Sequence, residues 1–377
     1  MIFTIHSPPR ILFGRGKAAL AADEALAFGP RGVVVHGAQA GRAEWLIAAL
    51  RARGAEVLTL AAPREPLLED LTAATTAARD HRPDWVLSLG GGAAIDLGKA
   101  LAAMIPAPGD ALDHLEGVGR GLPLTAAPLP FLALPTTAGT GAEVTKNAVI
   151  GLRDHGLKIS LRDDRMIARV AIVDPALTDG CPRDVTLASG LDAVTQVIEP
   201  WLSVKATPYS DAIAAAAIRP GLEALKRLMQ AEDPDARDRL AWVSLSGGLA
   251  LANSGLGAVH GLAGVIGGRI AAPHGAICGA LLGPVLAMNR ELTGGTARER
   301  VDQVCATIAD MLGGTAQDAP ARLQGWACDQ GLPDLRALGV DPAHHDAIAG
   351  AALGSSSMKG NPVLPSLVSV RHALAQA

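Results

Sequence analysis

Short apolar runs alternate with longer amphipathic stretches through the first half of the chain. RGVVVHG reads as a buried strand and AEWLIAALRARG as the helix that follows it. EVLTLAA and LEDLTAATTAARDH repeat the pair, as do DWVLSLGGG and AAIDLGKALAAM. FLALPTT is a fourth strand, and RVAIVDP a fifth that ends in a proline turn. Continuous apolar strands separated by helices imply a mostly parallel sheet covered on both faces. Beyond Pro182 the pattern becomes Ala- and Leu-rich at helical spacing, as in YSDAIAAAAIRPGLEALKRLM and RERVDQVCATIADML. Gly180 and Pro182 mark the change, as a hinge should. The expected organisation is an α/β domain over residues 1–180 and an all-α domain over 181–377.

Composition narrows this picture. A chain of 377 residues is long for one core, which favours two domains. Apolar residues make up 49% but aromatics only 3%, so the cores must be built from Ala, Leu, Val and Ile. A net charge of −4 with no basic block argues against nucleic acid as a partner. No apolar run reaches the roughly 18–20 residues of a membrane span, and the start lacks the layout of a signal peptide. A cytoplasmic protein is expected. Cys181, Cys278, Cys305 and Cys328 are scattered with no CxxC pair, which reads as reduced, buried thiols rather than a disulfide framework or a zinc module.

Four segments carry candidate chemistry. In LSLGGGAAIDLGKA, Gly90, Gly91 and Gly92 lie between a strand and a helix. Glycines let a ligand approach the backbone, and a helix N-terminus offers N–H groups and partial positive charge to a pyrophosphate. A tight turn explains the same glycines equally well, and the run is not GxGxxG. LPTTAGTGAEVT also follows a strand, and its Thr136, Thr137, Thr140 and Thr145 hydroxyls suit ligand contact. In GLDAVTQVIEP, Asp192 and Gln196 are spaced to share one helical face, which Glu199 continues as an anchor. His260 and His274 lie in the uncharged stretch GLGAVHGLAGVIGGRIAAPHG. Either histidine alone reads as a core residue. With Asp192, the two would supply the three protein ligands of a catalytic metal site, in an oxygen-plus-imidazole set that suits zinc or ferrous iron. His344 and His345 read as a solvated helix start.

Taken in order, FGRGKAAL, GGGAAIDLGKA, LPTTAGTGAEVTKNAVI, LKIS, VAIVDPALT, GLDAVTQVIEP, GLGAVHGLAGVIGG, PHG and GNP resemble the iron-containing (group III) alcohol dehydrogenase family, over almost the full chain. That family includes glycerol dehydrogenase and maleylacetate reductase and shares its architecture with dehydroquinate synthase. The resemblance implies an α/β domain that binds NAD or NADP, an all-α domain that holds Fe2+ or Zn2+, and hydride transfer to or from a small to medium alcohol or aldehyde in the cleft between them. It implies that Gly91 and Gly92 contact the pyrophosphate, with Asp96 nearby. Gly37, Thr136, Thr137, Thr145, Asn147, Lys158 and Leu177 would complete the cofactor site. Asp192, His260 and His274 would ligate the metal and act in catalysis through it, with Gln196 at the family's fourth ligand position. A homodimer formed through the N-terminal strand region, IFTIHSPPRILFG, is also implied.

Three departures from the family pattern stand out. Gln196 replaces a histidine found in many members and is a weaker ligand. Gly264 stands where the family often has a second histidine near the substrate, so the proton must come by water or the cofactor ribose, and space opens. His36 and Gly37 stand where NAD-preferring members often place an Asp, which removes repulsion against a 2′-phosphate that Arg42 or His36 could attract. The alternatives are a maleylacetate reductase, although TTAGTG has the alcohol dehydrogenase form, and a degenerate member that binds nucleotide without turnover. A dehydroquinate synthase-like lyase would need a Lys and Arg cluster that this chain lacks.

Overall fold

The computed structural model describes residues 2–115 and 118–377. Its contacts divide the chain into a sheet unit (His6–Thr137 with Gly141–Thr178) and a helical unit (Asp179–Ala377, joined by Ala138–Thr140 and a short N-terminal piece ending at Ile5).

In the sheet unit the strands are β1 (Arg10–Phe13), β2 (Arg31–His36), β3 (Glu56–Ala61), β4 (Trp85–Gly90), β5 (Phe131–Pro135), β6 (Asn147–Leu152), β7 (Leu157–Arg162) and β8 (Val170–Val173). Six of them form one sheet in the order β1-β8-β5-β4-β2-β3, with every pairing parallel. All five strands expected from the sequence are present. β4 is buried along its whole length, as a doubly covered parallel strand must be.

Helices α1 (Ala21–Leu26), α2 (Glu44–Ala52), α3 (Leu68–His81), α4 (Gly92–Met104) and the short α5 (Ala111–His114) connect them. Leu46 and Leu50 of α2 pack on one face with Val34, Leu87 and Leu89. Leu71 of α3 and Ile95 and Leu101 of α4 pack on the other with Val33, Val35 and Val86. From β2 the chain winds outward to β3, then returns to β4 on β2's other side. The carboxyl ends of β2 and β4 are therefore a topological switch point, where such sheets bind ligands.

Two features differ from the sequence reading. β1 is an extra edge strand that pairs Arg10 with Val170 through Phe13 with Val173, so part of the segment expected to dimerise is used within its own sheet. β6 and β7 form a separate antiparallel hairpin. β6 alternates buried and half-buried positions, the period-2 pattern of a half-covered strand.

The helical unit contains α6 (Arg183–Leu202), α7 (Pro208–Gln230), α8 (Pro234–Ser254), α9 (Ala258–Arg269), α10 (His274–Leu292), α11 (Gly295–Leu312), α12 (Ala319–Asp329), α13 (His345–Leu353) and α14 (Leu367–Gln376). α6 is the central element and packs against α7, α8 and α10. Every residue from Gly190 to Pro200 is buried. Asp192, Gln196 and Glu199 therefore project from a helix enclosed on all sides, and each needs a polar partner. Among the described residues, no single helix is long and apolar enough to cross a membrane.

Candidate metal centre and nucleotide cradle

The metal candidates all lie in the helical unit. His260 is in the first turn of α9 and is 9% exposed, while His274 is half-buried and is the first residue of α10 rather than part of a free turn. Side chains from elsewhere secure the start of α9. Asn361 Oδ1 accepts from the Ala258 N–H (3.1 Å), and Glu199 Oε1 accepts from the Val259 N–H (2.6 Å). Asn361 is itself held by Asn289, which gives the GNP segment its structural role. Gly275 sets the approach of α10 to α6. A Cβ there would lie 2.4 Å from the Ala188 carbonyl oxygen and 3.3 Å from Asp192 Cβ, so only glycine lets the two helices meet this closely.

Within this frame Asp192 Oδ1 lies 3.2 Å from His260 Nε2. The other ring nitrogen, Nδ1, lies 2.6 Å from Glu199 Oε2. A carboxylate only accepts, so Nδ1–H donates to Glu199 and, with no metal bound, Nε2–H donates to Asp192; Nε2 is the atom from which a metal would displace the proton. The rings of His260 and His274 are 5.5 Å apart. Cys278, one turn beyond His274 on α10, completes the group. Its Sγ lies 3.5 Å from His274 Nε2 and 3.9 Å from His260 Nε2, and one donor atom from each of Asp192, His260, His274 and Cys278 lies within 4.8 Å of every other.

Burial opposes charge on these groups, but their neighbours outweigh it. Burial alone would push Asp192 up, yet the hydrogen bond from His260 and the charges of both imidazoles hold it below its usual value. Burial would push His274 down, yet Cys278 and Asp192 raise it to about 9. His260 likewise sits well above its usual value, because Cys278, Glu199 and Asp192 outweigh burial. The cluster is thus short of positive charge. A divalent cation would supply that charge against convergent O, N, N and S donors, so this set fits a metal.

Gln196 is oriented differently. Its Nε2 donates to the Gly139 carbonyl at 2.8 Å, which leaves only its amide oxygen as a possible ligand atom. Gly264, on the His260 face of α9, borders open space: a Cβ built there meets nothing within 4 Å. Cys278 is the reduced, buried thiol expected from the sequence, but its convergence with the histidines was not anticipated there. All four cysteines are free, but Cys181 is half-buried and Cys328 exposed, so buried thiols describe only Cys278 and Cys305. His344 is exposed just before α13, as expected of a solvated helix start.

The nucleotide candidates lie in the sheet unit. At the switch point Gly37 follows β2 and Gly90 ends β4. A Cβ on Gly90 would lie 2.6 Å from Ala94 Cβ and 3.2 Å from the Gly37 nitrogen. Gly91 caps α4, and Thr137 Oγ1 would lie 3.3 Å from a Cβ there, so Gly37, Gly90, Gly91 and Thr137 are brought together. The Thr136 N–H is bonded to the Gly90 carbonyl. An open helix N-terminus lined by small residues suits a pyrophosphate, so this cradle fits a dinucleotide.

The other residues assigned by resemblance are more dispersed. Thr145 is buried, and its hydroxyl accepts from Lys99 Nζ at 2.8 Å and donates to the Ala142 carbonyl. Asn147 Nδ2 donates to Ser160 Oγ across the hairpin, Lys158 pairs with Glu65, and the Leu177 carbonyl accepts from Arg42 Nη2. His36 is buried with its Nδ1 2.8 Å from the Gly37 carbonyl oxygen, whereas Arg42 is exposed.

The sequence reading missed Lys99. It is fully buried on α4 and donates to the Ala142 carbonyl (2.7 Å), Thr145 Oγ1 and the Asn147 carbonyl (2.9 Å). These bonds fasten the end of the threonine loop to the helix that opens the cradle. Burial lowers its pKa to about 8, against the opposing charges of Asp96 and Glu143. Burial raises Glu143 to about 7.

Comparison with known proteins supports both halves. Residues 8–175 match the family model described as iron-containing alcohol dehydrogenase, and residues 186–377 match its C-terminal counterpart, Fe-containing alcohol dehydrogenase family, C-terminal. A probable alcohol dehydrogenase, EutG, of Salmonella typhimurium is 32% identical over 368 residues, covering 95% of this chain and 90% of that protein. Long-chain-alcohol dehydrogenase 1 of Geobacillus thermodenitrificans is 34% identical, covering 83% and 79%. Among solved structures, a 1,3-propanediol oxidoreductase superposes with a TM-score of 0.88 at 26% identity, covering all of both chains.

Proposed function

The chain belongs to the iron-containing alcohol dehydrogenase family, and from that premise we propose that it transfers hydride between NAD(P)(H) and a small to medium alcohol or aldehyde. The observation that carries this reading is the convergence of Asp192, His260, His274 and Cys278 within 4.8 Å of one another. The glycine cradle at the ends of β2 and β4 supports it independently.

When bound, the metal supplies Lewis-acid polarisation of the substrate oxygen, and the nicotinamide supplies or accepts hydride. Asp192 brings negative charge to the metal centre, and Glu199 keeps the His260 proton on Nδ1 so that Nε2 is available as a ligand. Backbone N–H groups at Gly91 and Gly92 would hold the pyrophosphate, with Gly37 and Thr137 beside them. Asp96, Thr136, Thr145, Asn147, Lys158 and Leu177 would make or support the remaining contacts. Gly264 leaves room beside His260 and brings no imidazole, so this position would supply no proton relay and water or a cofactor hydroxyl would have to serve. The donor set accepts iron or zinc, and with no acid at the end of β2 either NAD or NADP is accommodated. A homodimer in the cytoplasm completes the proposal.

The test is metal analysis together with NADH and NADPH oxidation across an aldehyde panel, for the wild type, D192A and H274A. Both variants should lose metal and activity together while retaining nucleotide binding. Full turnover by metal-depleted protein would overturn the reading. Nucleotide binding without metal or turnover in the wild type would mark a binding-only family member.

A further inference from the structure

We infer that Cys278 is a metal ligand in this chain, its thiolate taking the corner of the donor set that Gln196 leaves poorly served. This rests on the metal centre proposed above and deepens it by committing the sulfur of that group to the metal, where Asp192, His260 and His274 alone would also make a site.

The geometry meets the requirement. With metal–nitrogen and metal–oxygen bonds of ~2.0–2.1 Å and a metal–sulfur bond of ~2.3 Å, tetrahedral donors stand about 3.3 Å apart for N and O and about 3.6 Å for N and S. Asp192 Oδ1 to His260 Nε2 is 3.2 Å, Cys278 Sγ to His274 Nε2 is 3.5 Å, and Sγ to His260 Nε2 is 3.9 Å. The i,i+4 spacing of His274 and Cys278 sends both side chains from one face of α10 toward α6. Cys278 is fully buried and in no disulfide, so its sulfur faces these partners rather than solvent.

Gln196 is the weaker candidate for that corner. Its amide nitrogen is committed to the Gly139 carbonyl, and its Cβ is backed at 3.0 Å by the position a Cβ on Gly247 would take. Its oxygen is also neutral. Asp192 and a Cys278 thiolate together cancel the charge of a divalent ion, whereas Asp192 with Gln196 leaves one positive charge in a buried site, which is costly. On binding, the Cys278 S–H bond breaks, its proton goes to solvent and a sulfur–metal bond forms, with no change of oxidation state.

The test is cobalt(II) substitution of the full-length protein. The wild type should bind one equivalent and show near-ultraviolet thiolate-to-cobalt charge transfer. C278S should lose that band and bind cobalt at least about tenfold more weakly by chelator competition, since even outer partners of a ligand are worth about 10–100-fold. X-ray absorption of the wild-type cobalt protein, showing one sulfur in the first shell, gives the same answer without a variant. A bound cobalt lost in D192A but carrying no sulfur would overturn the inference and leave the metal centre standing. Persistence of the band in C278S would assign it to another thiol and overturn it too. No cobalt binding, or binding indifferent to D192A, would remove the metal centre and the inference together.

Discussion

Replacing Glu199 with glutamine changes one oxygen to an amide nitrogen at nearly constant volume, at a buried position. Glu199 now serves two donors: its Oε1 takes the Val259 N–H and its Oε2 the His260 Nδ1–H, both at 2.6 Å. Glutamine has one acceptor. If that oxygen stays with Val259, the amide N–H faces Nδ1, which must become an acceptor. The imidazole proton then moves to Nε2, the atom that faces Asp192 at 3.2 Å and would ligate the metal. If the amide turns over, the first turn of α9 loses a cap and a buried N–H is left unpaired. Either arrangement forfeits one hydrogen bond to a charged group, worth about 1.5–3 kcal/mol. At about 1.4 kcal/mol per factor of ten, E199Q should bind metal roughly 10–150-fold more weakly. Chelator-competition titration of reconstituted wild type and E199Q measures this, with nucleotide affinity as the control that should not move. Metal affinity within twofold of wild type would show that Glu199 does not set the His260 tautomer, and the reasoning would fail.

Gly275→Ala should be damaging despite its small size. The new Cβ would sit 2.4 Å from the Ala188 carbonyl oxygen, so α10 must lift from α6 by about 1 Å, at an overpacking cost of about 1–3 kcal/mol. Reduced metal content and a lower denaturation midpoint are expected, and wild-type values for both would contradict the packing argument. In the sheet unit, Glu143 has a folded pKa of about 7 against a usual 4.5, raised by burial. Between those values the folded protein holds a proton that the unfolded chain has lost, so this group makes stability fall as pH rises through that window. E143Q should flatten that decline by up to about 3 kcal/mol. Urea unfolding at pH 5 and pH 7.5 reads it, and parallel wild-type and E143Q slopes would refute it. Lys99 acts at higher pH with the opposite sign. Burial lowers its pKa to about 8, so the folded state sheds its proton first and stability rises as pH climbs from there toward 10.5.

Much of the fold was legible because periodicity is local. The runs GVVV and WVLSL became β2 and β4, and the Ala- and Leu-rich half became helices, since burial on two faces or on one stripe is written directly into residue spacing. β1 escapes the pattern because it has four residues and lies at an edge, and the β6–β7 hairpin because its alternation sits inside the longer motif that follows the threonine loop. At the candidate metal centre, residue type in an uncharged setting points to Asp192, His260 and His274. Cys278 is less conspicuous, although HGAIC places it one turn from His274. Lys99 was hidden in the same way, inside a segment read for its glycines.

By itself the sequence determined the alternation of strands and helices, the change to helices after Pro182, and which side chains had the chemistry to hold a metal or a pyrophosphate. These follow from neighbours a few residues apart, where φ/ψ preference and side-chain period act. Only the tertiary structure decided that Cys278 joins the two histidines, that Glu199 fixes the proton of one of them, and that Gln196 spends its amide on Gly139. Those contacts depend on how closely α10 and α9 approach α6, an approach set by Gly275 and by Asn361 far along the chain. The physical reason is that donor convergence is a matter of ångströms between helices, and that spacing is fixed by packing across the core rather than by local pattern.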